Sequence, residues 1–157
     1  MTVYDKLKEL GITVPAPSAP AAAYVSFVRC DHLVFLSGHL ARKDGTPWVG
    51  QLGKDMTTSE GRQAARGIAI DLLGTLHAAV GDLEQVKRLV KLTSFINSTS
   101  EFTEHHLVTN GASELLADVF GPRGMHARSA VGVAQIPTGA CVEIELIAEI
   151  ATERRTA

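Results

Sequence analysis

Arg128 and Glu143 stand fifteen positions apart in the stretch ARSAVGVAQIPTGACVEIELIAEI (127–150). Together they are a useful pair for work on a small carboxylate. A guanidinium clamps a carboxylate through two parallel hydrogen bonds, a fork that lysine lacks. A glutamate can hold a water and deprotonate it. The stretch reads as two alternating runs around a Pro-Thr-Gly-Ala turn, so a β-hairpin is expected, with a loop over 137–140 and Ile136 facing Cys141. That register sets Val131 opposite Leu146, Val133 opposite Ile144 and Gln135 opposite Val142 as a core face. The other face then carries Arg128, Ala130, Gly132 and Ala134 against Glu149, Ile147, Glu145 and Glu143. Arg128 faces Glu149 as a cross-strand ion pair, and Glu143 lies six positions away, about 20 Å along the ribbon. The two cannot serve one small ligand within a single chain; if they cooperate, they do so across a subunit boundary. The small residues 130, 132 and 134 either open backbone N–H groups to a ligand or permit close packing between subunits.

The rest of the chain must position these groups. Val3, Leu7 and Leu10 fall at helical spacing, which predicts a short amphipathic helix over 2–10 closed by Gly11. The prolines of VPAPSAPAAA (14–23) predict an extended connector. YVSFVRCDHLVFLSGHL reads as two strands turning near Cys30 to His32. The run Leu33 to Leu36 is apolar on both faces, so that strand should be covered on both sides. Residues 42–55 read as an irregular loop. Thr57 and Glu60 form a capping box for a long helix with Ala65, Ile68, Leu72, Leu76 and Val80 on one face and Gly81 at its end. VKRLVKLTSFIN (86–97) alternates as a strand. Ser98 with Glu101 predicts a second capping box, opening a helix that runs to about Phe120, before Gly121 and Pro122. TERRTA (152–157) reads as a loose tail. The order is that of an α+β domain, with two long helices on one face of a mostly antiparallel or mixed sheet plus a short N-terminal helix. The whole chain, 1–157, is expected to be one domain, with helix and connector over 1–23 and a core over 24–150. The other face of the sheet has no helix left to cover it, which argues for a second copy of the chain there.

Composition narrows the function classes. The chain has 157 residues, 20% of them charged, and a net charge of −2, which gives no electrostatic reason to expect nucleic acid as a partner. No apolar run approaches the roughly 20 residues needed to cross a bilayer, and MTVYDKLKELGI mixes acids and bases where a signal peptide would be apolar. Cys30 and Cys141 form no CxxC pair and read as two buried free thiols, which places the protein in the cytoplasm. His105 and His106 are adjacent on a helix and point about 100° apart, and His32, His39, His77 and His126 show no ligand spacing, so no metal site is expected. Gly53-Lys54 lacks the first glycine and the Ser/Thr of a phosphate loop.

The pattern ARSAVGVAQIP…VEIELIAEI resembles the RidA (YjgF) family of reactive-intermediate deaminases, also labelled endoribonuclease L-PSP-like. Upstream, Tyr24 in YVSF, Ser37-Gly38 in FLSG and the passage VKLTSFINSTSEF fit the same order and spacing, from 24 to 150. The resemblance implies a chorismate-mutase-like fold and a homotrimer with ligand clefts between subunits. It implies hydrolysis of enamines and imines such as 2-aminoacrylate or 2-iminopropionate to a 2-oxo acid and ammonia, with no cofactor or metal in the deaminase itself. Carried over residue by residue, Arg128 would clamp the substrate carboxylate with help from the backbone N–H of Ala130. Glu143 of the neighbouring chain would be the general base, and Tyr24, Ser37 and Gly38 would wall the cleft. On the residues alone, Tyr24 reads as a strand aromatic and Ser37 as a strand-end hydroxyl bonded to backbone. Several departures mark a divergent branch. Ala130 stands where many members carry cysteine, and the helix before HARS is longer. His105 or His106 lies nearest to where an asparagine is expected, and the N-terminal helix is extra. Two other functions compete: a trimer that binds a small carboxylate and regulates a partner without turnover, and an endoribonuclease, against which the acidic balance counts.

Overall fold

The computed structural model describes residues 1–17, 19–20 and 22–152; most of the TERRTA tail lies outside the described residues. The N-terminal helix α1 (Val3–Glu9) starts at a full capping box, Thr2 accepting from Asp5 N while the Asp5 carboxylate accepts from Thr2 N. It buries Val3 and Leu7. Its first turn is tied down from outside: Val3 N donates to Glu84 Oε1, and the Tyr4 hydroxyl accepts from Leu83 N.

Strands β1 (Phe27–Cys30) and β2 (Leu33–Leu40) form a hairpin around Asp31, a residue with φ of 56°. The next segment was expected to be irregular. It instead makes a two-residue hairpin, β3 (Arg42–Lys43) with β4 (Thr46–Pro47), because Asp44 and Gly45 both take the positive φ such a turn requires. Helix α2 (Thr58–Val80) begins where Thr57 accepts from Glu60 N and stops at left-handed Gly81. Of the predicted stripe, Ala65, Ile68, Leu72 and Leu76 are fully buried, and Val80 is partly buried.

Strand β5 (Val86–Asn97) has the expected bounds. Helix α3 (His105–Phe120) does not start at Ser98: its N-cap is Glu104, with no side-chain cap bond. The reason is that the backbone at 97–99 is already engaged by the 42–55 loop, Leu52 N donating to Asn97 O and Thr99 N to Leu52 O. The Ser98 hydroxyl meets His105 Nε2 instead.

The C-terminal hairpin is the main correction. Strands β6 (Ala127–Val133) and β7 (Val142–Ile150) do not pair with each other. The sheet order is β1-β2-β7-β5-β6, with β6 parallel to β5 and the other neighbours antiparallel. A turn does exist, with Thr138 and Gly139 at positive φ. Its flanks bond elsewhere, however: Cys141 N donates to Trp48 O and Asn97 N to Cys141 O. These contacts carry the chain past β6 and deliver β7 to the far side of β5. Thus Val131 pairs with Phe95, and Leu146 with Leu92 and Leu36. Arg128 lies beside Leu92, and Glu149 beside Leu33 and Arg88, so the expected ion pair between Arg128 and Glu149 does not form.

The alternation of β7 holds, with Val142, Ile144, Leu146, Ala148 and Ile150 buried. On β6 the faces are reversed. Arg128, Ala130 and Gly132 share the helix-covered side with Leu92, Ser94 and Ile96, whereas Val131 points to the bare side. Helices α2 and α3 pack on one face of the sheet. The opposite face shows Val28, Phe35 and Val131, so β2 is covered on only one side within the chain. Cys141 is buried, but Cys30, at the end of edge strand β1, is exposed, against the expectation of two buried thiols. Among the described residues no helix is long and apolar enough to cross a membrane.

Candidate active site

The pairing of β2 with β7 slips between Leu36 and His39, and the slip holds Ser37 and Gly38. A bulge of this kind re-aims side chains and backbone at a sheet rim. Ser37 is fixed twice to the segment just before β1, its N–H donating to Ser26 O at 2.9 Å and its hydroxyl to Val25 O at 2.6 Å. That matches the plain reading of a strand-end hydroxyl on backbone. Gly38 is glycine for a steric reason, since a Cβ there would overlap the Glu143 carboxylate. Glu143 is half-buried, and burial first and Glu145 second push its carboxyl above the ordinary value. Tyr24, Ser37 and Gly38 line one cavity, joined there by His39, Arg42 and Asp71. The fold therefore brings Tyr24, Ser37, Gly38 and Glu143 together.

Arg128 belongs to a second cluster at the β6 edge. Its guanidinium donates to Ser113 Oγ at 3.1 Å and to His106 O at 3.0 Å. His126 Nδ1 lies 2.6 Å from Gly124 O and Nε2 lies 2.9 Å from Ser113 Oγ. One proton arrangement satisfies every group: Nδ1–H donates to Gly124 O, the Ser113 hydroxyl donates to Nε2, and Arg128 donates to the Ser113 oxygen. Burial, and then the Arg128 charge, hold the His126 pKa below its ordinary value. Ala130 is half-buried on the same face. Beyond it Gly132 lines an open cleft with Ser98, Phe102 and His105. No group of three or more His, Cys, Asp or Glu among the described residues is arranged to hold a metal ion.

The two clusters stay apart within the chain. Glu143, Phe95 and Val131 lie in one row across β7, β5 and β6, which puts Val131 about 10 Å from Glu143 at the usual strand spacing. Arg128 is three residues further along β6, about another 10 Å, and faces the other side of the sheet. The separation expected from a hairpin has a different origin here, but its consequence is the same: one small molecule cannot touch both side chains of one chain. Sequence reasoning set His126 and His39 aside for lack of ligand spacing and did not single out Ser113, Asp71 or Arg42. His126 was legible in principle, because residues two apart on a strand share a face with Arg128. Asp71 and Thr75, four apart on α2, interrupt its apolar side in the same way.

The profile of the family described as endoribonuclease L-PSP matches residues 14–150. The chain belongs to that family, the one that includes YjgF and RidA proteins. It is 49% identical to Protein TCP17 of Trypanosoma cruzi over 150 residues, 94% of each chain. The crystal structure of Atu1372, a protein with unknown function from Agrobacterium tumefaciens, superposes with a TM-score of 0.86 at 42% identity, covering 95% of this chain and 94% of the other. RidA from the Antarctic bacterium Psychrobacter sp. PAMC 21119 matches with a TM-score of 0.57 at 26% identity, covering 88% and 96%. The fold is thus the chorismate-mutase-like fold of the L-PSP family. The gap between the two TM-scores fits a divergent branch.

Proposed function

We propose that this L-PSP family member hydrolyses reactive enamines and imines of the 2-aminoacrylate and 2-iminopropionate type, in clefts between the subunits of a homotrimer. The observation that carries the reading is the Glu143 carboxyl packed on Gly38, beside the cavity of Tyr24 and Ser37, with its pKa raised toward the range useful to a general base. The bare sheet face with Val28, Phe35 and Val131 supports assembly. The distance between Glu143 and Arg128 supports a cleft completed by a second chain.

In this reading the enamine first tautomerises to the imine. Arg128 of one chain holds the substrate carboxylate, with the backbone N–H of Ala130 beside it. Glu143 of the neighbour takes a proton from water as the water oxygen bonds to the imine carbon, and hands that proton to the nitrogen, giving the carbinolamine. Glu143 then moves the carbinolamine O–H proton to the nitrogen as the C–N bond breaks, so that the carbonyl forms, ammonia leaves and the carboxylate is restored. One water is consumed, one 2-oxo acid and one ammonia leave, and no electrons are exchanged. Tyr24, Ser37 and Gly38 wall the site.

The test is turnover of freshly generated 2-iminopropionate, with Arg128→Ala expected to lose about 10²-fold in kcat/KM and Glu143→Gln about 10²- to 10⁴-fold. Co-assembled Arg128→Ala and Glu143→Gln chains should regain activity, about a quarter of wild type for random mixing in closed oligomers. Full activity of either single variant would overturn the roles. Tight binding of a 2-oxo acid with no acceleration of any imine would make the protein a metabolite-binding trimer instead.

A further inference from the structure

Behind Tyr24 and Ser37 the cavity runs on to two charged groups that the reaction above does not use. Asp71 of α2 and Arg42 of β3 both line it. Among the described residues neither makes a side-chain hydrogen bond or an ion pair. Burial pushes the Asp71 carboxyl up, and His39 first and the Arg42 charge second offset part of that push. His39 does not occupy Asp71 either. Its Nδ1 lies 2.7 Å from Ser37 O and its Nε2 lies 2.7 Å from the hydroxyl of buried Thr75. Both ring nitrogens are engaged, and burial lowers the pKa, which keeps the ring neutral.

What remains is one strong acceptor and one strong donor that line the same cavity and hold no hydrogen-bond partner among the described residues. Their charges cancel, so a lone cation or anion finds attraction and repulsion together. A primary carboxamide complements both, its NH₂ donating to Asp71 and its carbonyl accepting from Arg42. The cavity is small, about 40 Å³, and at roughly 10–15 Å³ for each water-sized group it has room for about three heavy atoms. A carboxamide has three.

We propose that the cavity selects substrates whose side chain ends in a carboxamide, read by Asp71 and Arg42. This specificity rests on the imine-hydrolase reading, and the amide itself is left unchanged by the reaction. The test compares imines generated in place by an amino-acid oxidase from asparagine and from leucine, whose side chains have nearly the same shape, with 2-iminopropionate, whose side chain is a single methyl group, as the reference. The asparagine-derived imine should be hydrolysed with kcat/KM at least about tenfold above the leucine-derived one. Asp71→Asn and Arg42→Ala should each bring that ratio to within about twofold and leave 2-iminopropionate turnover unchanged. Equal rates for the two imines in wild type, or a preference that survives both substitutions, would overturn the proposal while leaving the proposed reaction in place. Failure to accelerate any of the three imines would instead overturn the reaction, and the specificity with it.

Discussion

Arg128 and His126 are joined through a single hydroxyl: Ser113 Oγ lies 3.1 Å from Arg128 Nη1 and 2.9 Å from His126 Nε2. The guanidinium is thus held by α3 rather than by its strand neighbours. Ser113→Ala should loosen the clamp without removing its charge. The expected result is a rise of about tenfold in KM for 2-iminopropionate with a smaller change in kcat, and Ser113→Thr, which keeps the oxygen, should recover most of it. Unchanged KM in Ser113→Ala would mean that the hydroxyl only packs.

The same chain of bonds makes His126 sensitive to pH. The folded protein holds it neutral, with its pKa below the ordinary 6.5. The unfolded chain therefore takes up the proton first as pH falls. The stability this group contributes is full above about pH 6.5 and is lost as pH drops toward the lowered folded value. Other groups titrate nearby, so the informative quantity is a difference. The fall in urea midpoint between pH 7.5 and 5.5 should be smaller in His126→Asn than in wild type, and equal falls would contradict the assignment.

Gly38 and Glu143 are in contact closely enough that any side chain at 38 must displace the carboxylate. Gly38→Ala should therefore cut kcat/KM on 2-iminopropionate by about 10²-fold, the scale expected of a misplaced catalytic group, in a protein that still melts cooperatively. Wild-type activity in Gly38→Ala would remove Glu143 from the site.

Because burial and Glu145 raise the Glu143 carboxyl above 4.5, its base form is lost at a higher pH than for an ordinary glutamate. The acid limb of the kcat/KM profile should lie above pH 4.5, with rate falling as pH falls. Glu145→Gln removes the like charge and should move that limb down. A limb that ignores Glu145→Gln would point to another titrating group.

Glu84 is the anchor of the N-terminal helix. Its carboxylate accepts from Val3 N and from the Arg123 guanidinium, which also donates to Val86 O at 2.8 Å. Glu84→Ala leaves the Val3 N–H without its partner, and denaturant unfolding should show a loss of about 1–3 kcal/mol with little change in activity. A loss of activity as large as that of Glu143→Gln would mean that α1 shapes the cleft.

What could be read from the sequence followed the range of the interactions. The bounds of α2 rest on Thr57, Gly81 and a stripe of residues within four positions of one another, and these were legible. The β5 strand was legible by its alternation. The pairing of β6 and β7 was not. Its local signal, a turn over 137–140, is real, but contacts from Trp48 and Asn97, far away in the chain, decide where the strand goes. Reversal of the β6 face followed from that error. The separation of Arg128 from Glu143 was read from that same hairpin and survives it for another reason, since β5 stands between their strands and the two side chains face opposite sides of the sheet. The joining of Tyr24, Ser37 and Gly38 with Glu143 came only from likeness to a family. Asp71 breaks the apolar side of α2, but its meaning and that of Arg42 lie in the partners they lack, which no spacing reports.

The position of β7 in the sheet has a consequence for biosynthesis. Strand β2 has only β1 and β7 as neighbours, and β5 has only β6 and β7. Until the ribosome has released Ile150, the two ribbons on either side of that gap share no hydrogen bonds, and each shows an open edge to other nascent chains. Strand β7, the last of the five strands of this sheet to be made, acts as the keystone, so a stall or premature stop anywhere before it leaves a chain poised to aggregate rather than a smaller working protein.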